Sequence, residues 1–155
     1  LASIGAGAKV RCGGVDARHF PEPSAIAQFI AACVEAAVPF KATAGLHHPL
    51  RCSRSLTPGA ESPRVAMHGF LNLLFAALAA LEGGPRVASG QETLARVHDA
   101  LTCSERPVAV DAELRLGEHR LRAADAARIR LWAFRSIGSC SIDEPVSDLH
   151  DLELM

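Results

Sequence analysis

Two short segments of nearly the same pattern hold the only lysines of the chain. Lys9-Val10-Arg11-Cys12-Gly13 and Lys41-Ala42-Thr43-Ala44-Gly45 both read Lys-x-[Arg/Thr]-x-Gly. They stand one βα unit apart, about 30 residues. Sixteen residues are Lys or Arg, and every one outside these segments is Arg, which keeps its proton in proteins. A desolvated lysine can lose its proton and act as a base or a Schiff-base nucleophile. The pattern therefore assigns chemistry to Lys41, with Lys9 as its charged neighbour, and ligand contacts to Arg11 and Thr43. A plainer account is that each lysine snorkels at a strand start and each glycine makes a turn.

Leu46-His47-His48-Pro49 follows the second segment directly, and His68 lies further on. Either His47 or His48 can shuttle a proton near neutral pH. The three imidazoles, with Cys52 or Cys12 in reserve, also suit the Zn²⁺ of a metal-dependent hydrolase. No HxH, HExxH or CxxC spacing supports that alternative, so no metal and no other cofactor is assigned. Gly13-Gly14 ahead of a helix would let backbone N–H groups approach a phosphate, and Arg11 and Arg51 can add charge-assisted hydrogen bonds to an anion. Gly138-Ser139-Cys140-Ser141 invites a nucleophile reading of Cys140. However, Ser141-Ile142-Asp143-Glu144, with Pro145, fits an S-x-x-E capping box and accounts for Ser141 and Glu144 as a helix start.

These residues need elements to position them. Ala8–Cys12 and Val38–Ala44 are strand-like, and Pro21 and Pro23 open a helix with Ile26, Phe29, Ile30, Cys33 and Val34 at helical spacing. Two strands with one helix between them and no hairpin turn form a parallel βαβ unit. Alternation then puts Lys9 with Arg11, and Lys41 with Thr43, on one face, with each glycine at a carboxyl edge, where α/β proteins place their ligands. The stretch from Leu46 to Ser62, with Pro49, Pro58 and Gly59, reads as a long functional loop. Helices are expected from near Met67 to Glu82, from about 90 to 102 behind the Ser89–Glu92 capping box, from about Ala123 to Ser136, and from about Glu144 to Leu152. Val108–Leu116 reads as a strand that Gly117-Glu118 turns back into His119–Arg122.

At 155 residues, 49% hydrophobic and net charge −1, the chain reads as one domain, residues 1–155. Its parts are a βα part (1–105) and a hairpin plus helices (106–155). With no basic run and no long apolar run, neither a nucleic acid nor a membrane is expected as a partner. Five cysteines without CxxC pairs point to reduced thiols and a cytoplasmic location. The first residue is Leu and no signal-peptide order follows, which suits a start inside a longer protein.

The Lys-x-Thr-x-Gly pattern resembles the lysine strand of class I aldolases of the deoxyribose-phosphate aldolase type, over about five residues. That resemblance implies a Schiff base on Lys41 tuned by Lys9. Nearly the whole chain is similar to the C-terminal half of a family of uncharacterised bacterial proteins, through Lys9–Gly14, Phe40–Pro49, His68–Asn72 and Gly138–Pro145. The resemblance implies an α/β fold of parallel βα units like half of a (β/α)₈ barrel, with a C-terminal hairpin and helices. A full barrel needs about 250 residues, so a homo-oligomer, or a missing N-terminal half on a longer chain, is expected. The reading that follows is a lyase or aldolase-like enzyme on a small oxo-acid or phosphorylated compound. Lys41 is its nucleophile or base with Lys9 as the catalytic charge-tuning neighbour, Arg11, Thr43, Gly13, Gly14 and Arg51 bind a small anionic molecule, and His47 or His48 moves the proton. The alternatives are the metal-dependent hydrolase with His47, His48 and His68, and a non-catalytic anion-binding or assembly domain.

Overall fold

Ala8–Arg11 (β1) and Phe40–Thr43 (β2) run parallel, joined by helix Pro23–Glu35 (α1), so the predicted βαβ unit forms. The structure is a computed structural model that describes residues 5–57, 61–84 and 90–155. Pro23 sits at the start of α1, where a missing N–H costs nothing. The helix buries Ile26, Ile30, Cys33 and Val34.

Downstream of β2 the sequence predicts a loop, but the structure forms an antiparallel hairpin of Cys52–Ser55 (β3) and Arg64–Met67 (β4). Pro58 and Gly59 lie outside the described residues. Met67 closes β4 instead of opening a helix, because Val65 and Met67 point inward with two-residue alternation. Phe70–Gly83 (α2) is buried along most of its length and packs against Gln91–Thr102 (α3). Ser89, the proposed cap of α3, lies outside the described residues, and Gly90 occupies the N-cap.

The predicted strand 108–116 is broken at Asp111, whose φ of 54° bends the chain. Val108–Val110 (β5), Glu113–Leu116 (β6) and His119–Arg122 (β7) form a three-stranded meander, with Gly117 at φ 56° in its second turn. Helix Ala123–Trp132 (α4) stops four residues earlier than its apolar pattern predicts. Phe134–Gly138 (β8) is instead a strand, parallel to β2 on the side away from β1. Asp143–Asp151 (α5) follows, close to its expected bounds.

The parallel sheet therefore has the order β1-β2-β8, in a mixed α/β fold that also holds the hairpin and the meander. One face packs on the helices through Phe40, whose ring stacks on Phe134 at 5.2 Å and meets Phe29 edge-on at 5.5 Å. The other face is open, and Lys9, Arg11 and Lys41 on it are exposed. Among the described residues no helix is long and apolar enough to cross a membrane.

The glycines that end β1 and β2 touch each other. A Cβ on Gly13 would lie 2.7 Å from the Gly45 Cα and 2.8 Å from the Phe20 ring. Gly45 itself has φ 68°, a left-handed conformation that other side chains resist. Gly13→Ala is expected to cost about 2 kcal/mol by overpacking, lowering Tm by roughly 4–8 °C in a domain of this size. A thermal melt checks it.

Candidate functional site

The carboxyl ends of β2 and β8 are adjacent, and the loops leaving them carry the reactive groups. Ala44 and Gly45 both take positive φ and turn the chain out of the sheet into His47-His48. On the neighbouring strand, Gly138 leads into Ser139 and Cys140 and then α5. The Cys140 Sγ lies 3.5 Å from Nε2 of His47, and Nδ1 of the same ring is 2.8 Å from the Glu144 Oε2. With Nδ1–H donating to the carboxylate, Nε2 is left as an acceptor for the thiol proton. A nucleophile, a base and a group that orients the base thus stand in line, the geometry that activates a thiol.

His48 repeats part of this arrangement one residue on. Its Nδ1–H donates to the Asp148 Oδ2 at 2.6 Å, and Glu144 and Asp148 are one helical turn apart on α5. Cys52, at the start of β3, lies beside the His48 ring. That sulfur has the largest influence on the ring; burial opposes it and Asp148 adds to it, so the imidazole is pushed up to about 9.

A raised folded-state value makes the contacts of His48 with Cys52 and Asp148 fully stabilising below the ordinary value near 6.5, with the contribution lost as pH rises through about 9. We expect a loss on the order of 2 kcal/mol across that window, and a flatter profile for Cys52→Ala, which removes the largest of the raising influences. Urea midpoints at half-unit pH steps measure the difference. Burial pushes the thiols of Cys12 and Cys33 up to about 12 and about 11. Their contribution at alkaline pH is shared by both proteins and cancels in the comparison.

A cleft of about 530 Å³ opens beside this pair, between α5 and the β3–β4 hairpin. Its lining includes His47, His48, Glu144, Arg54, Arg64 and Leu56. The Arg64 guanidinium also donates to the Ser53 carbonyl at 2.6 Å, which fixes it at the rim. The cleft therefore combines the His47 ring and its Glu144 carboxylate with two cations and an apolar side chain, and Cys140 lies outside its lining.

The other residues singled out from the sequence are distributed differently. Lys9 stands opposite Lys41 in the β1–β2 register, and Arg11 opposite Thr43, so the two polar pairs lie side by side. Both lysines are exposed, without the desolvation that frees an amine for chemistry. Thr43 is drawn into the sheet, its hydroxyl donating to the Val10 carbonyl at 3.4 Å.

At Gly13-Gly14, the expected phosphate cradle, the space that a side chain would take is occupied by neighbouring groups. Gly45 and Phe20 crowd the first glycine, and a Cβ on Gly14 would meet the His19 Nδ1 at 2.6 Å and the Arg11 Nη2 at 2.9 Å. Arg51 has its backbone N–H bound to the Asn72 side chain. His68 is 1% exposed and donates through Nε2 to the Pro21 carbonyl at 2.7 Å. Burial pushes its pKa down, the Pro21 carbonyl works against that, and the charge of Arg51 lowers it further. Its buried Nδ1 has no hydrogen-bond partner among the described residues. Among the described residues no three His, Cys, Asp or Glu side chains are grouped to hold a metal ion, so the three-histidine cluster does not form.

In the sequence the capping box accounts for Glu144 as part of a helix start, and Cys140 stands only as a nucleophile without a partner. The box is only half made: the Glu144 N–H reaches the Ser141 Oγ at 3.4 Å, while the Glu144 carboxylate turns to His47. The usable signal was a cysteine and a histidine each placed just after a strand of one parallel sheet. It required knowing that residues 134–138 are a strand. The chain matches no protein-family model, no curated protein and no solved structure.

Proposed function

We propose that the protein is a thiol-dependent acyl-transfer enzyme acting on a small anionic ester or thioester. The observation that carries this reading is the line Cys140–His47–Glu144 at the carboxyl edge of a parallel sheet, where α/β enzymes assemble their sites. The cleft beside it, with Arg54 and Arg64, suits a substrate that bears a carboxylate or phosphate.

In the first step Nε2 of His47 takes the thiol proton and the Cys140 sulfur adds to the acyl carbon. Glu144 holds the ring through Nδ1 and stabilises the imidazolium. The tetrahedral adduct collapses as the carbon–leaving-group bond breaks, and His47 delivers its proton to the departing oxygen or sulfur. The resulting thioester on Cys140 is released by water or a second acceptor, whose proton returns to His47. A reducing, cytoplasmic setting suits such a thiol.

Incubation with short carboxylated aryl esters and thioesters, followed by acid quench and peptide mass analysis, tests the reading. An acyl mass on the Cys140 peptide, together with release of the leaving group, is expected. A panel that gives neither adduct nor turnover overturns it.

A second reading keeps Lys41 as the Schiff-base residue of a lyase on a small oxo-acid or phosphorylated compound. The cross-strand register of Lys41 with Lys9 favours it. It requires the open sheet face to be covered, as it would be if this chain were half of a (β/α)₈ barrel completed by a second copy or by another chain. Borohydride reduction with pyruvate should then fix a mass on Lys41, and native mass spectrometry should show an oligomer. An unmodified Lys41 in a monomer excludes it.

A further inference from the structure

The parallel sheet breaks a general rule. Parallel strands are normally covered on both faces and read as apolar runs. Here the three strands carry four cations, Lys9, Arg11, Lys41 and Arg135, and no Asp or Glu. The register aligns Lys9, Lys41 and Ser136 in one row across the sheet, and Arg11, Thr43 and Gly138 in the next. Lys9, Arg11 and Lys41 all project from the open face and are exposed.

Neighbouring strands are about 4.8 Å apart, and like charges directly opposite each other destabilise a sheet. Among the described residues none of the four cations forms an ion pair with a carboxylate. Arg11 spends its Nε on the Gly13 carbonyl, which holds the guanidinium at the carboxyl edge. The chain as a whole carries a net charge of −1, so this concentration of cations is local.

We infer that the open face of the sheet binds a small phosphorylated molecule through its phosphoryl group, held between Lys9 and Lys41 with Arg11 beside them. A phosphoryl dianion supplies the countercharge that the paired lysines lack, and its several acceptor oxygens match two ammonium groups and a guanidinium. The Ser136 hydroxyl extends the row as a neutral donor. The inference rests on the sheet alone and is independent of the reaction at Cys140.

The test titrates inorganic phosphate and glycerol phosphate into the full chain by calorimetry, with thermal melts in phosphate and in chloride of equal ionic strength. Wild type should bind both phosphate compounds and melt higher in phosphate than in chloride. Lys9→Gln and Lys41→Gln should each weaken binding about tenfold or more. Each should also raise the melting temperature without phosphate, because the like-charge contact is relieved. Arg128→Gln, on α4, should change neither readout. Equal melting in phosphate and matched chloride overturns the proposal, as does wild-type affinity in both lysine variants. Binding of heparin without binding of either phosphate compound also overturns it, since the face would then serve a macromolecular polyanion.

Discussion

Cys140→Ala is expected to lower acyl turnover about 10³-fold or more, and His47→Ala by a similar factor, with melting temperatures close to wild type. The thiol is the attacking group, so its loss leaves only whatever binding and orientation contribute to the background rate. Glu144→Gln keeps a hydrogen-bond acceptor for Nδ1–H but removes the charge opposite the imidazolium, and a loss of about 10- to 100-fold is expected. Because the three groups act as a unit, the Cys140→Ala/His47→Ala double variant should be no slower than the worse single one. Cys140 is exposed, so its truncation leaves no buried cavity and the fold is spared. Steady-state rates on the best ester of the panel, with circular dichroism of each variant, measure these effects. A Cys140→Ala protein that retains turnover ends the thiol mechanism.

Asn72→Ala is expected to be the most damaging single change to stability, about 3–5 kcal/mol. The Asn72 side chain is fully buried and accepts from the Arg51 N–H at 2.8 Å. Its amide donates to the carbonyls of Ala100 at 2.7 Å and Cys103 at 2.8 Å. One side chain thus satisfies the end of α3 and anchors the loop just beyond His47-His48. Truncation leaves three backbone groups without a partner and opens a void beside them. Asn72→Asp separates hydrogen bonding from packing: its volume is retained, but it puts an acceptor against two carbonyls and should be at least as unstable at neutral pH. Urea denaturation of both variants gives the ordering, and an Asp variant of near wild-type stability would refute the hydrogen-bond account.

The βαβ unit was legible because each of its signals is local. Pro23 marks a helix start, Ile26, Ile30 and Val34 keep helical spacing, and the short strands on either side end at Gly13 and Gly45. The third strand was not legible. Phe134-Arg135-Ser136-Ile137-Gly138 has no clean alternation, because the register is irregular between Phe40 and Lys41 and leaves an extra residue on β8. With Ile129 and Trp132 at helical spacing upstream, the segment reads as a continuation of α4. The hairpin β3–β4 was hidden by its polarity, since Ser53, Arg54 and Ser55 are all exposed. The site inherits both losses. His47 and His48 were visible as candidates, but Cys140 and Glu144 gain meaning only when β8 lies against β2, a tertiary fact that no spacing in the chain expresses.

The two histidine–carboxylate pairs join residues separated by 97 and 100 positions. Closing so large a loop has an entropic cost that local contacts do not offset, so these bonds depend on the docking of α5. During synthesis His47 and His48 emerge long before the helix that orients them, and the core of α1, α2 and α3 can assemble while the thiol is still unmade or undocked. Under the mechanism proposed above, the contact of Cys140 with His47 therefore requires β8 and α5 to be docked. Until α5 is docked, neither Glu144 nor Asp148 is in place to orient His47 and His48.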